Sequence, residues 1–405
     1  MKVTRKNFLV SILFYLMTFA VYLYYFRLNQ SLGDVGLIIQ GGQNIALQIN
    51  PYEGFDFANS PFSGLLFYAI SQTLTPGLFA ILLVILNASG YLLLARFIGS
   101  LLNKPVPFSI LILPFLSPYR ALIDAGQISG LILLLLMPLI FTIQSKKTRS
   151  LIAIFLAVIA FELKPQIALP LILFAFIVNK SRRQAIMMAF LVVLIHFITY
   201  LYWQGLDYLW IESLQRRSEK SLSNGFQVSA WKFFNSTVDL PLFWRILSAV
   251  SYLAFVYLGI ALHNKSRTLA FAFMILAPLM LTYQHQYDFL PMLVVILSFG
   301  IFKGAITPFF VLACAFMPLP VNSISALATL LFGAGLFIRS KSNSLIFLGI
   351  SLNALMISIV YQNSDKPLEL QASIVSAAIT LFGIPSLLRA IWKSSEKENS
   401  APKPL

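Results

Sequence analysis

Runs of apolar residues dominate the chain, and they recur at the length of roughly 20 positions that a helix needs to cross about 30 Å of hydrocarbon. They predict spans at 8–26, 77–98, 106–122, 126–143, 185–203, 241–262, 268–283, 287–302, 305–318, 322–338, 343–361 and 370–391. Two further regions are ambiguous by pattern. Residues 60–75 suit either a short span or a segment in the outer interface, and 151–178 reads as two half-length helices broken at Lys164-Pro165, where proline interrupts the hydrogen-bond ladder. The expectation is an all-α, polytopic integral membrane protein with about 12 to 14 transmembrane helices. It forms a single membrane domain over 1–405, ending in a cytoplasmic tail at 392–405.

Composition narrows the class. Of the 405 residues 59% are hydrophobic and 11% charged, which excludes a soluble globular protein. Twenty prolines and twenty glycines are spread through the apolar stretches, as is usual for membrane helices. A single cysteine, Cys314, leaves no disulfide within the chain, and His196, His263 and His285 show no metal-ligand spacing. With no D-x-D sequence either, no divalent ion and no other cofactor is expected.

Charge orients the map. The first apolar run follows Lys2, Arg5 and Lys6 in the manner of a signal peptide, but its length and the lack of an A-x-A site favour a retained anchor. With both termini cytoplasmic in a plasma membrane, the clusters Lys146, Lys147, Arg149 and Lys180, Arg182, Arg183 and Lys265, Arg267 and Arg339, Lys341 all fall inside. The acids then provide an independent check, because 20 of the 29 basic residues but 2 of the 14 acids lie on that side. The net charge of +15 is accounted for by topology and carries no nucleic-acid meaning.

Two connections exceed ordinary loop length, 27–59 and 204–240, and both map to the outer face, where sites are commonly built on a rigid scaffold. In the first, Asp34 begins an apolar-rich stretch that ends before Asn50-Pro51, a pattern for a juxtamembrane helix lying in the interface. Asp34 there serves equally as a helix N-cap or as a catalytic carboxylate beside the headgroups. Asp124, Gly126 and Gln127 form an outer turn. Glu162 and Lys164 flank the proline break inside apolar sequence, where ionisable groups are costly and functional unless they pair with each other. The second loop carries Arg216, Arg217, Lys220 and Lys232 among aromatics, suited to an anionic headgroup or lipid phosphate, or to snorkelling. His285, Tyr287 and Asp288 cluster at the outer end of a later span.

In order and spacing these segments resemble the family 87 glycosyltransferases, polytopic enzymes of the GT-C class. The resemblance runs from Asp34 through Pro51-Tyr52, the proline-led segment at Pro61, the Gly126-Gln127 turn and Lys164-Pro165-Gln166 with its following basic loop, to Tyr287-Asp288 after His285. It implies an enzyme that takes a sugar, usually mannose, from a polyprenyl-phosphate carrier on the outer face, with Asp34 as base and 27–59 as the catalytic loop. The acceptor would be a lipid or a glycan. Lys164, Arg216, Arg217, Lys232 and His285 are the candidates for the donor phosphate; Tyr52, Gln127, Tyr287 and Asp288 are the candidates for sugar and acceptor hydroxyls.

Other classes predict other features. A transporter or lipid flippase would carry several mid-span ionisable residues and an internal repeat, and here Glu162 and Lys164 alone lie within apolar sequence, with no clear matching halves. A GT-C relative that ligates whole glycans shares the fold and the outer site. A membrane scaffold leaves the ordered outer motifs without a role.

Overall fold

The computed structural model describes residues 5–26, 33–53, 57, 59–102, 104–145, 151–221, 240–281, 286–299 and 392. Among these the regular elements are all helical, as expected. Among the described residues four helices are long and apolar enough to cross a membrane: Arg5–Leu23, Pro76–Leu101, Arg182–Tyr202 and Leu242–Leu262. Shorter apolar helices accompany them. The spans expected at 305–318, 322–338, 343–361 and 370–391, and the tail, lie outside the described residues. The chain divides into two compact units, one of Thr18–Leu94 and Leu122–Glu219, the other of Met1–Met17, Ala95–Ala121 and Lys220–Leu405.

The first unit holds the candidate site. It contains the C-terminal end of α1 (Arg5–Phe26), α2 (Gly33–Ala46), α3 (Pro61–Ser71), most of α4 (Pro76–Leu101), α6 (Ser129–Ser145), α7 (Leu151–Leu163), α8 (Pro165–Val178), α9 (Arg182–Tyr202) and most of α10 (Leu206–Ser221). Between α4 and α6 in sequence comes α5 (Ser117–Asp124). α3 starts on a side-chain cap, Ser60 Oγ accepting from the Ser63 amide at 3.3 Å, with Pro61 in the first turn, where its missing N–H costs nothing. α2 and α3 approach so closely that Gly42 lies against the Gly64 carbonyl, where a β-carbon would collide with backbone, and Phe57 covers the remaining gap over Gly41 and Gly64. α7 and α8 are the two half-length helices expected of 151–178. Pro165 disfavours helical backbone at the residue before it, and Lys164 is non-helical there (φ −155°, ψ 78°).

The second long connection is not a bare loop. α10 rises from it after a turn at Gly205, whose φ of +87° is open to glycine at no steric cost. α9 leaves Ile186, Phe190, Val193, Phe197 and Leu201 exposed along one face, spacing that suits hydrocarbon.

The other unit shows where hydropathy misleads. The span expected at 106–122 is a 3₁₀ segment, Phe108–Phe115, followed by α5, because Pro107, Pro114 and Pro118 forbid one continuous α-helix. Its Ser109 hydroxyl donates to the Leu297 carbonyl at 2.9 Å. After α11 (Pro241–Leu262), α12 (Arg267–Leu276) is capped by Ser266 and passes at Pro278 into a 3₁₀ turn, Ala277–Met280; a second such turn, Gln286–Phe289, precedes α13 (Leu290–Phe299). At the chain start the Asn7 side chain accepts from the Val106 amide at 3.1 Å, and Arg96 donates to Ser11 Oγ at 2.7 Å.

Candidate functional site

Asp34 lies in the first turn of α2, where the free N–H groups of the helix end favour an anion. Two contacts hold it to the turn between α5 and α6. Its backbone amide donates to the Ala125 carbonyl at 2.6 Å, and the Gln127 side-chain amide donates to its carboxylate. The close backbone approach is possible because residue 33 is a glycine, left-handed at φ +54°, whose β-carbon would otherwise strike the Ala125 carbonyl. The expected Gly126-Gln127 turn thus forms, with Gly126 also left-handed at φ +58°. Asp34 and Gln127 meet across 93 positions of sequence.

The turn is braced from behind. Asn87, buried in α4, donates to the Gln127 carbonyl at 2.8 Å and accepts from the Leu131 amide at 3.0 Å, so one side chain spans the entry to α6. Two residues past Gln127, Ser129 Oγ accepts from Lys164 Nζ at 3.2 Å. The strand of chain 127–129 therefore connects the aspartate to the lysine at the α7–α8 break. Glu162 and Leu163 have carbonyls left without helical donors by that break. Ser60 Oγ donates to the former at 2.9 Å and Asn59 Nδ2 to the latter at 3.2 Å.

Tyr52 and Arg216 also come together. The Arg216 guanidinium donates to the Tyr52 carbonyl at 3.3 Å, which ties the two long connections of the sequence to each other. Tyr52 itself is buried, its hydroxyl donating to the Asn59 carbonyl at 3.1 Å and its ring against Phe57 at 5.2 Å. Burial, and next the charge of Asp207, push its phenol well above the usual tyrosine range. In this arrangement Tyr52 supports the loop that feeds Asn59 and Ser60 to the break.

One group escaped the sequence reading. Glu162 is wholly buried and faces His196 Nε2 at 3.4 Å, while His196 Nδ1 donates to Asp207 Oδ1 at 2.9 Å and the Trp210 ring stacks on the imidazole at 5.8 Å. Glu162 was visible as an anomaly in apolar sequence, with pairing to Lys164 as the alternative to a functional role; the ammonium reaches Ser129 and the carboxylate faces His196. The two carboxylates lie at opposite ring nitrogens, so the three groups cannot converge on one metal ion, and among the described residues no metal-holding cluster forms.

Arg217 follows Arg216 in α10. Tyr287 and Asp288 are buried in the 3₁₀ turn Gln286–Phe289, in the other unit. Lys232 and His285 lie outside the described residues.

Among curated proteins none matches this chain. A family model does, that of glycosyltransferase family 87, over residues 57–283. The matched segment contains Gln127, Lys164, Glu162, His196 and Arg216, while Asp34 precedes it and Tyr287 and Asp288 follow it. Because the match covers more than half of the 405 residues, and the matched helices are those that build the arrangement around Lys164 and Gln127, the chain belongs to glycosyltransferase family 87.

Proposed function

We propose that this membrane-associated glycosyltransferase moves a hexose, mannose by the family resemblance, from a polyprenyl-phosphate donor to a hydroxyl of a lipid or glycan acceptor on the outer face of the plasma membrane. The supporting observation is the anchoring of Asp34 by Gln127 and the Ala125 carbonyl, at a helix start and one short stretch of chain from Lys164. Nucleotide sugars are cytoplasmic, so an outer site needs a donor carried in the bilayer. A sugar joined to a lipid phosphate is such a donor.

In the proposed reaction the Asp34 carboxylate accepts the proton of the acceptor hydroxyl as that oxygen attacks the anomeric carbon. A bond forms from the acceptor oxygen to the sugar, the bond from the sugar to phosphate oxygen breaks with inversion, and polyprenyl phosphate departs with the electron pair. Positive charge beside the departing phosphate stabilises the negative charge that develops there and lowers the barrier, a role for Lys164 together with Arg216, Arg217, Lys232 or His285. Gln127, already on the Asp34 carboxylate, orients the base, and Tyr287 and Asp288 are assigned to sugar or acceptor hydroxyls. No cofactor takes part.

Membranes containing the protein are expected to transfer label from polyprenyl-phosphate mannose to an acceptor, and Asp34→Asn to lower that transfer about 10²- to 10⁴-fold at unchanged protein level, the usual worth of a general base. Full transfer by Asp34→Asn removes the aspartate from the reaction. Movement of intact donor across the membrane without transfer would instead favour a flippase. Sidedness is read by labelling a cysteine placed at Glu53 in intact cells after Cys314 is replaced; labelling confined to lysed cells would overturn the outer placement.

A further inference from the structure

His196 is the one ionisable side chain of Asp, Glu, Lys, Arg or His type between Arg183 and Asp207. It stands on α9, whose outer face exposes Phe190, Val193 and Phe197, and it is turned inward to Glu162. The Glu162 carboxylate is completely enclosed, and neither of its oxygens accepts a hydrogen bond from the described residues. A buried carboxyl group is costly unless a donor or cation stands beside it, and the imidazole at 3.4 Å, able to supply either from Nε2 when protonated, is the group so placed.

The ring has little freedom. Asp207 accepts from Nδ1, which assigns that nitrogen its hydrogen because a carboxylate only accepts, and Trp210 stacks on the ring plane at an angle of 14°. Asp207 and Trp210 both belong to α10, brought back on α9 by the Gly205 turn. His196 is therefore a bolt through three helices, α7, α9 and α10, and its inner end meets α7 two residues before Lys164.

Seen from the break, two independent supports converge. Asn59 and Ser60 hold the backbone carbonyls of Leu163 and Glu162, and His196 holds the Glu162 side chain. We infer that His196 is a positioning residue of this enzyme, fixing the α7–α8 break through Glu162 so that Lys164 is presented in a single geometry. The inference deepens the proposed function and rests on it in one respect, the assignment of Lys164 to the donor phosphate. Without His196 the buried carboxyl group of Glu162 draws water or moves toward it, the turn that carries Lys164 loosens, and the ammonium leaves its place beside Ser129.

The test uses the full-length protein in lipid nanodiscs, with hydrogen exchange followed by mass spectrometry alongside transfer kinetics. His196→Ala is expected to speed exchange in peptides covering 160–168 by tenfold or more. The same variant should raise the KM for polyprenyl-phosphate mannose about 10- to 100-fold, the range associated with a displaced binding group, and leave the acceptor KM unchanged. The double variant His196→Gln with Glu162→Gln, which removes the buried carboxyl group along with its partner, is expected to regain most of the protection and the donor KM. It also keeps the idea testable should His196→Ala fail to fold. Unchanged exchange at 160–168 in His196→Ala, or no recovery in the double variant, overturns the positioning role. Faster exchange with an unaltered donor KM supports the positioning of the break and removes Lys164 from the donor site instead.

Discussion

α9 and the pair α7–α8 are made of nearly the same residues, yet they are used in opposite ways. α9 runs 21 residues without interruption and leaves Phe190, Val193 and Phe197 exposed on its outer face. α7 and α8, of 13 and 14 residues, bury Ala157, Val158, Ala160, Ala168 and Leu171 and are broken by Lys164-Pro165. Apolarity alone brings a helix into the membrane-like part of the fold. Small residues and a break bring it to the interior, because small side chains permit close approach and a break obliges neighbours to satisfy the freed backbone. The ionisable pair Glu162 and Lys164 accordingly stands at the break, while α9 turns His196 inward and buries Gln184 and Thr199 without interrupting its helix.

Substitutions at the two kinds of position should separate widely. Ala160→Phe, in the fully buried turn of α7 that leads to the break, is expected to cost about 3 kcal/mol through overpacking and to reduce transfer with it; denaturation midpoints in nanodiscs measure the first and label transfer the second. Asn87→Ala removes the side chain that holds the Gln127 carbonyl and the Leu131 amide, for an expected loss of about 1–3 kcal/mol and a smaller fall in activity, by the same two measurements. Phe190→Leu, on the open face of α9, should stay within about 0.5 kcal/mol of the parent. A cost at Phe190 as large as that at Ala160 would erase the distinction between the two regions.

The sequence was most informative where chemistry is local. Lys164-Pro165 announces a break because proline acts on its immediate neighbour, and α2 is legible from Asp34 to the Pro51 turn for the same reason. The 3₁₀ segment Phe108–Phe115 was not legible as such, since hydropathy sums over a window and is blind to the difference between one helix and a proline-kinked path of equal apolarity. α10 was hidden by its polar composition within a long connection. In the site, Asp34, Gln127 and Lys164 could be named individually, but that Gln127 faces the aspartate and Ser129 the lysine depends on how distant segments cross. His196 gave no signal that one chain could carry, because its partners Glu162 and Asp207 stand 34 positions before and 11 after it, outside any short motif.

The hydrogen bonds from Asn59 and Ser60 to the break carry a consequence for biosynthesis. Each half-helix is roughly 20 Å long at 1.5 Å per residue, too short to carry its end past the hydrocarbon, so the carbonyls of Glu162 and Leu163 need donors supplied by the protein itself. Those donors are translated 102 and 104 residues earlier. The loop that carries them cannot complete these contacts until the end of α7 has been made, so this region closes only after a long stretch of later sequence is in place.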